Sequence, residues 1–388
     1  MRKYLGLLAS AGFVVAPVVG HAAVPSVGDV LTASGITEAG YIDIGYDATS
    51  LGGNSFHLDQ ATLTLSKVPT QGVGGLITVM LGNDATTVNE AYSESATNFA
   101  AAQAYLSYTT GGLTVIAGRY YTLAGAEVID PTQDANITRS LLFTDVQPLV
   151  HTGVRATYKI SDALSVIGGV NNTAFGTDHG TGPTAGTYDA NAQKTLEAGV
   201  TYAPLSTLNI AATEYYEATG SGQGSTAAIA IPPAPIYAGE FLGLLEAVTG
   251  SEGTTSLTDV VATYQALPAL SFGLNGDYRR TNHFGGTISG LGSVITKGVA
   301  LYSGYQFCDQ LKGSLRGEIV QLEVGGTSLI NRELTYTLDY TVVKNLDLMA
   351  EARIDRDSVT GTGHAIEDSN GNGRNVQETY SVKALYRF

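Results

Sequence analysis

The sequence predicts an all-β chain, a transmembrane antiparallel β-barrel of about sixteen strands preceded by a cleaved signal peptide. Three observations carry this. From residue 32 to the C-terminus, stretches of about ten residues alternate apolar with polar side chains, which places the two kinds on opposite faces of a strand. Between these stretches short turn and long loop trade places, as the two rims of a membrane barrel do. The polar parity also carries charges that a packed core would not tolerate and a water-filled interior would.

The N-terminus reads as an export leader. Arg2 and Lys3 precede an apolar run from Leu5 to Val19, broken by Gly12 and Pro17, and Gly20-His21-Ala22 brings small residues to a cleavage point. That run is too short for a spanning helix of about 20 residues. Residues 1–22 are assigned as signal peptide and 23–388 as one outer-membrane barrel. No later stretch is apolar enough to form an inner-membrane span.

Composition narrows the function classes. The chain has 20 basic and 35 acidic residues, a net charge of −15, and loss of Arg2 and Lys3 makes it more acidic still. Such a chain repels nucleic acid and presents cations with a negative potential. Cys308 is the single cysteine, so no intramolecular disulfide or paired-cysteine motif exists, and no cofactor is expected. Tryptophan is absent, so the 22 tyrosines must supply any interfacial belt.

In order, the strands are expected at Thr32–Tyr46, Phe56–Ser66, Leu76–Leu81, Ala100–Thr109 and Leu113–Tyr121. A polar stretch, 82–98, separates the third from the fourth. After a long connection at 122–151 come Thr152–Ile160, Leu164–Asn171, Lys194–Tyr202 and Leu208–Tyr216. The long stretch 217–256 precedes Leu257–Tyr264, Leu270–Arg279, Lys297–Phe307 and Leu311–Glu323. Arg332–Val342, Leu346–Asp355 and Val376–Phe388 complete the set. In the last of these, Tyr380, Val382, Ala384, Tyr386 and Phe388 share a parity, with Glu378 among them and Leu385 on the polar side as departures. Closing this strand on the first removes two free edges. An even strand number places both termini on one rim, the periplasmic one for an exported chain.

Outward-facing residues are then Val154, Ala156, Tyr158, Leu270, Phe272, Leu274, Leu334, Tyr336, Leu338, Tyr340, Leu346, Leu348, Ala350 and Ala352. Expected to line the pore are Arg155, Lys159, Glu197, Asp277, Lys312, Arg316, Glu318, Asp339, Glu351, Arg353 and Lys383.

The segments FHLDQATLTLSK, QAYLSYTTGGLTVIAGRYYTLAGAEVIDP, TRSLLFTDVQPLVHTGVRATY and LSVIGGVNNT resemble the OmpL-like family of β-barrel porins, from about residue 35 to the end and most strongly over 56–172. The resemblance implies a water-filled channel for passive diffusion of small hydrophilic solutes, without catalytic residues. The terminal aromatic residue is similar to those of bacterial outer-membrane barrels, in which the last strand is read by the barrel-assembly machinery; this gives Phe388 its expected role. Outer-membrane lipid and, with the many Gly and Ala of the first five strands, a second and third copy of the chain in a homotrimer are the further expected partners.

In sixteen-stranded porins, which this plan resembles, the loop after the fifth strand folds inward. The stretch 122–151 matches that position and carries Glu127, Asp130, Asp134, Arg139 and Asp145 around an apolar Leu141-Leu142-Phe143. It is too long for an idle loop. It is expected either to fold inward as a constriction, its acids facing Arg155, Arg316, Arg353 and Lys383 across the lumen, or to pack over the barrel mouth. The net acidity favours weak cation selectivity, which wall arginines would oppose.

Other candidates are weaker. The stretch 217–256 contains a possible short helix at Tyr237–Val248, either a lid or a rim shield. Asp368, Asn370 and Asn372 match half a calcium loop, but Thr379 stands where the bidentate Glu belongs. The histidines show no metal-ligand spacing. Competing readings are a sheath around a periplasmic partner, such as a redox conduit, and a closed structural barrel.

Overall fold

The computed structural model describes residues 31, 33–90, 97–172, 174–175, 194–219, 252–284, 293–324, 326–359, 366–367 and 373–388. The chain divides into two units, Met1–Thr37 and Glu38–Phe388, and the second carries the barrel. The proposed leader, the helix at Tyr237–Val248 and the calcium-like residues 368–372 lie outside the described residues.

Strands β1 (Thr37–Thr49), β2 (Asn54–Lys67), β3 (Gly72–Leu81), β4 (Phe99–Thr110) and β5 (Leu113–Tyr121) come first. Next are β6 (Val150–Lys159), β7 (Leu164–Asn171), β8 (Thr195–Leu205), β9 (Leu208–Thr219) and β10 (Glu252–Leu267). They are followed by β11 (Leu270–Phe284), β12 (Ser293–Cys308), β13 (Leu311–Val324), β14 (Thr327–Val343) and β15 (Leu346–Val359). A two-stranded ribbon, β16 (Ile366–Glu367) and β17 (Gly373–Arg374), precedes β18 (Val376–Arg387). Strands β1–β15 and β18 form one closed antiparallel barrel.

All sixteen expected strands exist, and β5 and β7 have the expected bounds. Several of β9–β15 run further toward the long-loop rim; β10 begins at Glu252 rather than Leu257. The added EGTTS is polar on both faces, because there the strand has left the apolar band, and alternation no longer marks it.

Closure is made by the chain end. β1 pairs with β18 from Tyr41↔Arg387 to Thr49↔Thr379. Phe388 N–H donates to Gly40 O at 2.9 Å, and Gly40 N–H returns a bond to Phe388 O at 3.1 Å. A Cβ on Gly40 would lie 2.4 Å from the Phe388 ring, so the seam needs glycine there. Leu385 is buried inside and Glu378 faces out, where it accepts from Tyr380 Oη at 3.3 Å.

The two rims differ. At the rim holding the C-terminus every connection between barrel strands is two or four residues long. The opposite rim carries the long connections, with two exceptions, 50–53 and 325–326, so the alternation of turn and loop is not strict. Aromatic residues ring the outer face near each rim. Tyr108, Tyr158, Tyr202, Tyr264, Phe272, Tyr305, Phe307, Tyr340, Tyr386 and Phe388 mark the short-turn side, and Phe56, Phe99, Tyr216, Tyr278 and Tyr380 the other. On β11, Phe272 and Tyr278 are separated by six positions, about 20 Å along the strand. Among the described residues no helix is long and apolar enough to cross a membrane.

Candidate channel interior

The connection between β5 and β6 touches strands all round the ring. Leu123 N–H donates to Tyr215 Oη on β9 at 3.0 Å, and Ala126 N–H to Asn275 on β11 at 3.0 Å. Ile129 O accepts from Gln60 on β2 at 2.8 Å. Ile137 N–H and Leu141 N–H reach Glu351 on β15 and Glu318 on β13, each at 2.6 Å. One segment can meet all these strands only from inside the barrel. Of the two expectations for 122–151, packing over the mouth does not describe these contacts.

The loop is shaped locally before it is anchored. Asp130 caps a 3₁₀ turn, Pro131–Gln133, by accepting from Thr132 N–H at 2.9 Å. Ser140 caps the short helix Leu141–Asp145 by accepting from Phe143 N–H at 3.1 Å. Asp134 pairs with Arg139, and Asp145 ends the short helix. Leu141 and Leu142 enter an apolar cluster with Val146, Phe175, Tyr215, Leu257, Ala300 and Val320. On β12, a Cβ at Gly298 would stand 2.8 Å from Leu142 Cδ2; the glycine makes room for the helix.

A second segment also turns inward. The polar stretch 82–98 holds a helix, Asn83–Glu90, whose Ala85 and Val88 pack with Met80, Ala100, Ala102, Ile129, Phe143 and Val150. Its Asp84 accepts from Gln60 Nε2 at 2.7 Å. Eight residues with two apolar positions give too little periodicity to read as a helix from sequence. The interior thus contains two apolar clusters; the loop's own Leu141-Leu142-Phe143 was expected to pack, whereas the contribution of the helix Asn83–Glu90 was not.

Ionic contacts hold the loop to the wall. Arg316, fully buried, donates Nη1 to Glu127 Oε1 at 2.6 Å and to Thr138 O at 2.7 Å, and Nε to Glu333 Oε2 at 3.0 Å. Glu351 accepts four bonds: from Ile137 N–H, from Thr138 N–H at 3.0 Å, from Thr138 Oγ1 at 2.6 Å and from Thr337 Oγ1 at 2.7 Å. Arg353 forks onto Asp355 and donates to Arg139 O at 2.6 Å. Gln147 bonds Asp277 at 2.7 Å, and Asn275 bonds Asp259 at 2.6 Å. The expected rows of opposite charge facing each other across water are replaced here by direct contact, because Glu127 reaches the wall itself.

Away from the loop's anchors, Arg155 makes a two-pronged pair with Glu197 at 2.6 and 2.7 Å and lies 4.3 Å over the Tyr120 ring. Lys383 lies 2.7 Å from Asp43 and 3.8 Å from Asp59. His57 bridges Asp47 and Asp59 at 3.1 and 2.7 Å. Lys312 and Asp339 are cross-strand partners on β13 and β14, and Lys159 pairs with Asp162 in the exposed turn at 2.7 Å. Beneath the loop, on the short-turn side, Glu127, Gln133, Asn136, Asn209 and Lys312 are among the residues that border a cavity of about 390 Å³ with a mixed polar and apolar lining. Among the described residues no group of three His, Cys, Asp or Glu could hold a metal ion. Cys308 is a free, exposed thiol at the end of β12.

The family model described as "Putative beta-barrel porin-2, OmpL-like" matches residues 38–388. The chain belongs to this family. Its barrel is similar to solved outer-membrane porins at low identity. OmpT of Vibrio cholerae, in its trimer form, shares 12% identity at TM-score 0.59 over 91% of this chain and 99% of that one. The anion-selective porin from Comamonas acidovorans shares 11% at TM-score 0.60, covering 91% and 99%. The outer-membrane channel DcaP of Acinetobacter baumannii shares 12% at TM-score 0.60, covering 91% and 97%. No curated protein matches. These likenesses concern the fold; family and fold together place the porin in the outer membrane.

Each of this porin's wall residues named from sequence stands on the inward parity of its strand, and the apolar ones on the outward parity. Sequence reading missed Asp59, Asp259, Glu333, Asp355 and Asp357; Asp43 it set on the face opposite Ile42 and Ile44 without counting it among the wall residues. Glu333 and Asp355 share parity with Asp339 and Arg353, so alternation alone could have found them. Asp357 lies beyond the expected end of its strand. Asp59 was hidden by a change of inward parity along β2, where Asp59 and Gln60 both turn inward to bond His57 and Asp84.

Proposed function

We propose that this porin is a passive channel for small hydrophilic solutes, weakly cation-selective, with both termini in the periplasm. What supports the reading is the loop 122–149, bonded to β2, β9, β11, β13 and β15, where it would narrow the bore and leave no room for a protein partner. A sheath around a protein partner would need an interior free of such a loop. The wall beside β1 and β2 keeps accessible acids, Asp47 and Asp59, with side chains 40% and 21% exposed. The cations Arg155, Arg316 and Lys383 are each buried against a carboxylate, which takes three wall cations out of the charge open to solvent. The short-turn rim holding the C-terminus fits the periplasmic side. The outer face of β3–β5 bears Gly75, Ala101, Ala104 and Ala117, a flat surface suited to packing as a homotrimer.

Reconstitution in planar bilayers tests this. Stepwise conductance is expected, with a reversal potential on the cation side in dilute KCl. The preference should fade near 1 M, as the screening length falls from about 10 Å to about 3 Å. Asp47→Asn with Asp59→Asn should reduce it more than neutralising Asp130, whose carboxylate is engaged in capping its own turn. Anion preference in dilute salt would show that the wall cations govern the bore instead.

A further inference from the structure

We propose that the outer wall between β10 and β15 binds a phosphate-bearing membrane lipid, its acyl chain in a groove and its phosphate on Arg332 and Arg356. The groove, about 770 Å³, is lined by Leu274, Leu301, Leu315, Ile319 and Leu334, with Arg332 also on its lining. These leucines and Ile319 are exposed large hydrophobics on the lipid-facing parity. Gly317 leaves the groove open: a Cβ there would meet nothing nearer than Leu334 Cδ1 at 3.6 Å.

The arginines supply the second half of the site. Arg332 and Arg356 are direct cross-strand partners on β14 and β15, both exposed on the outer face. Like charges placed opposite each other destabilise a sheet unless an anion joins them. Among the described residues neither arginine makes a hydrogen bond or an ion pair, and the outward carboxylates nearby are engaged elsewhere. Glu378 stands opposite Ile354 and accepts from Tyr380, and Glu323 pairs with Lys297 at 2.8 Å. Arg280, also outward, is satisfied by Asn282 at 2.8 Å. Two guanidinium groups without counter-charge beside an apolar groove fit a ligand that carries both a chain and a phosphate. Free phosphate uses only half of this arrangement.

The test uses the full-length barrel purified in detergent, with native mass spectrometry counting bound lipid. Dioleoylphosphatidic acid is compared with dioleoylglycerol, which has the same chains and no phosphate. Phosphatidate should bind on the order of tenfold tighter, since each basic residue near a membrane surface attracts anionic lipid. Arg332→Gln with Arg356→Gln should abolish that difference, and Arg332→Lys with Arg356→Lys should keep it. Gly317→Trp should weaken both lipids by filling the groove. Heat-modifiable migration establishes that each variant is a folded barrel; should the double glutamine variant not fold, either single one should give an intermediate preference. Equal binding of the two lipids, a preference retained after loss of the arginines, or displacement of phosphatidate by equimolar inorganic phosphate would overturn the proposal.

Discussion

Arg316 illustrates how little of a wall residue's role follows from facing inward. Had it stood in open water, its removal would have altered the field in the bore and left the fold intact, which is what parity alone suggests. It is instead fully buried between Glu127 of the loop and Glu333 of the wall. Removing one partner from a buried pair leaves uncompensated charge, at a cost of about 3–5 kcal/mol. Arg316→Met is therefore expected to lower the heat-modification midpoint of the purified barrel clearly, whereas Lys159→Met, in an exposed turn pair, should leave it in place. Equal midpoints for the two variants would mean that the Arg316 site admits water.

At the scale of the element, the loop 122–149 behaves as a small folded insert with its own caps and its own share of the apolar interior. Glu318 and Glu351 hold it by accepting backbone N–H groups that no other acceptor in the loop satisfies. Replacing both with glutamine weakens those charge-assisted bonds. The variant should show noisier, larger single-channel steps, and excision of 126–145 should raise conductance several-fold. Unchanged conductance after excision would place the current path elsewhere. The helix Asn83–Glu90 packs on the same apolar cluster as Ile129 and Phe143, so the two inserts support each other.

At the scale of the whole molecule, closure is made by the β1–β18 pairing and completed by the chain's last residue. Phe388 exchanges two backbone bonds with Gly40 and lays its ring over that glycine on the outer face. A carboxylate near the interface costs at most about 1 kcal/mol. Phe388→Asp, or deletion of Phe388, should therefore cost far more in assembly than in stability: export continues, while heat-modifiable barrel disappears from the outer membrane. Barrel at normal abundance from either variant would show that the terminal aromatic is not what the assembly machinery reads.

Strand number, the two faces and the rim of short turns were legible because a period of two and a turn are local properties, written in consecutive residues. The extended ends of β9–β15 were not, since a strand outside the apolar band has nothing to alternate against. The acids and the apolar core of the inward loop could be named from residues 122–151, but not their partners. Glu127 meets Arg316 across 189 residues, and Ile137 meets Glu351 across 214. Sequence by itself determined the face of most strand side chains, failing where β2 changes its inward parity at Asp59 and Gln60 and where β15 runs on to Asp357. Only the tertiary structure decided which inward ones meet water, because that depends on where a long loop comes to rest among strands distant in the chain, and no local pattern encodes that distance.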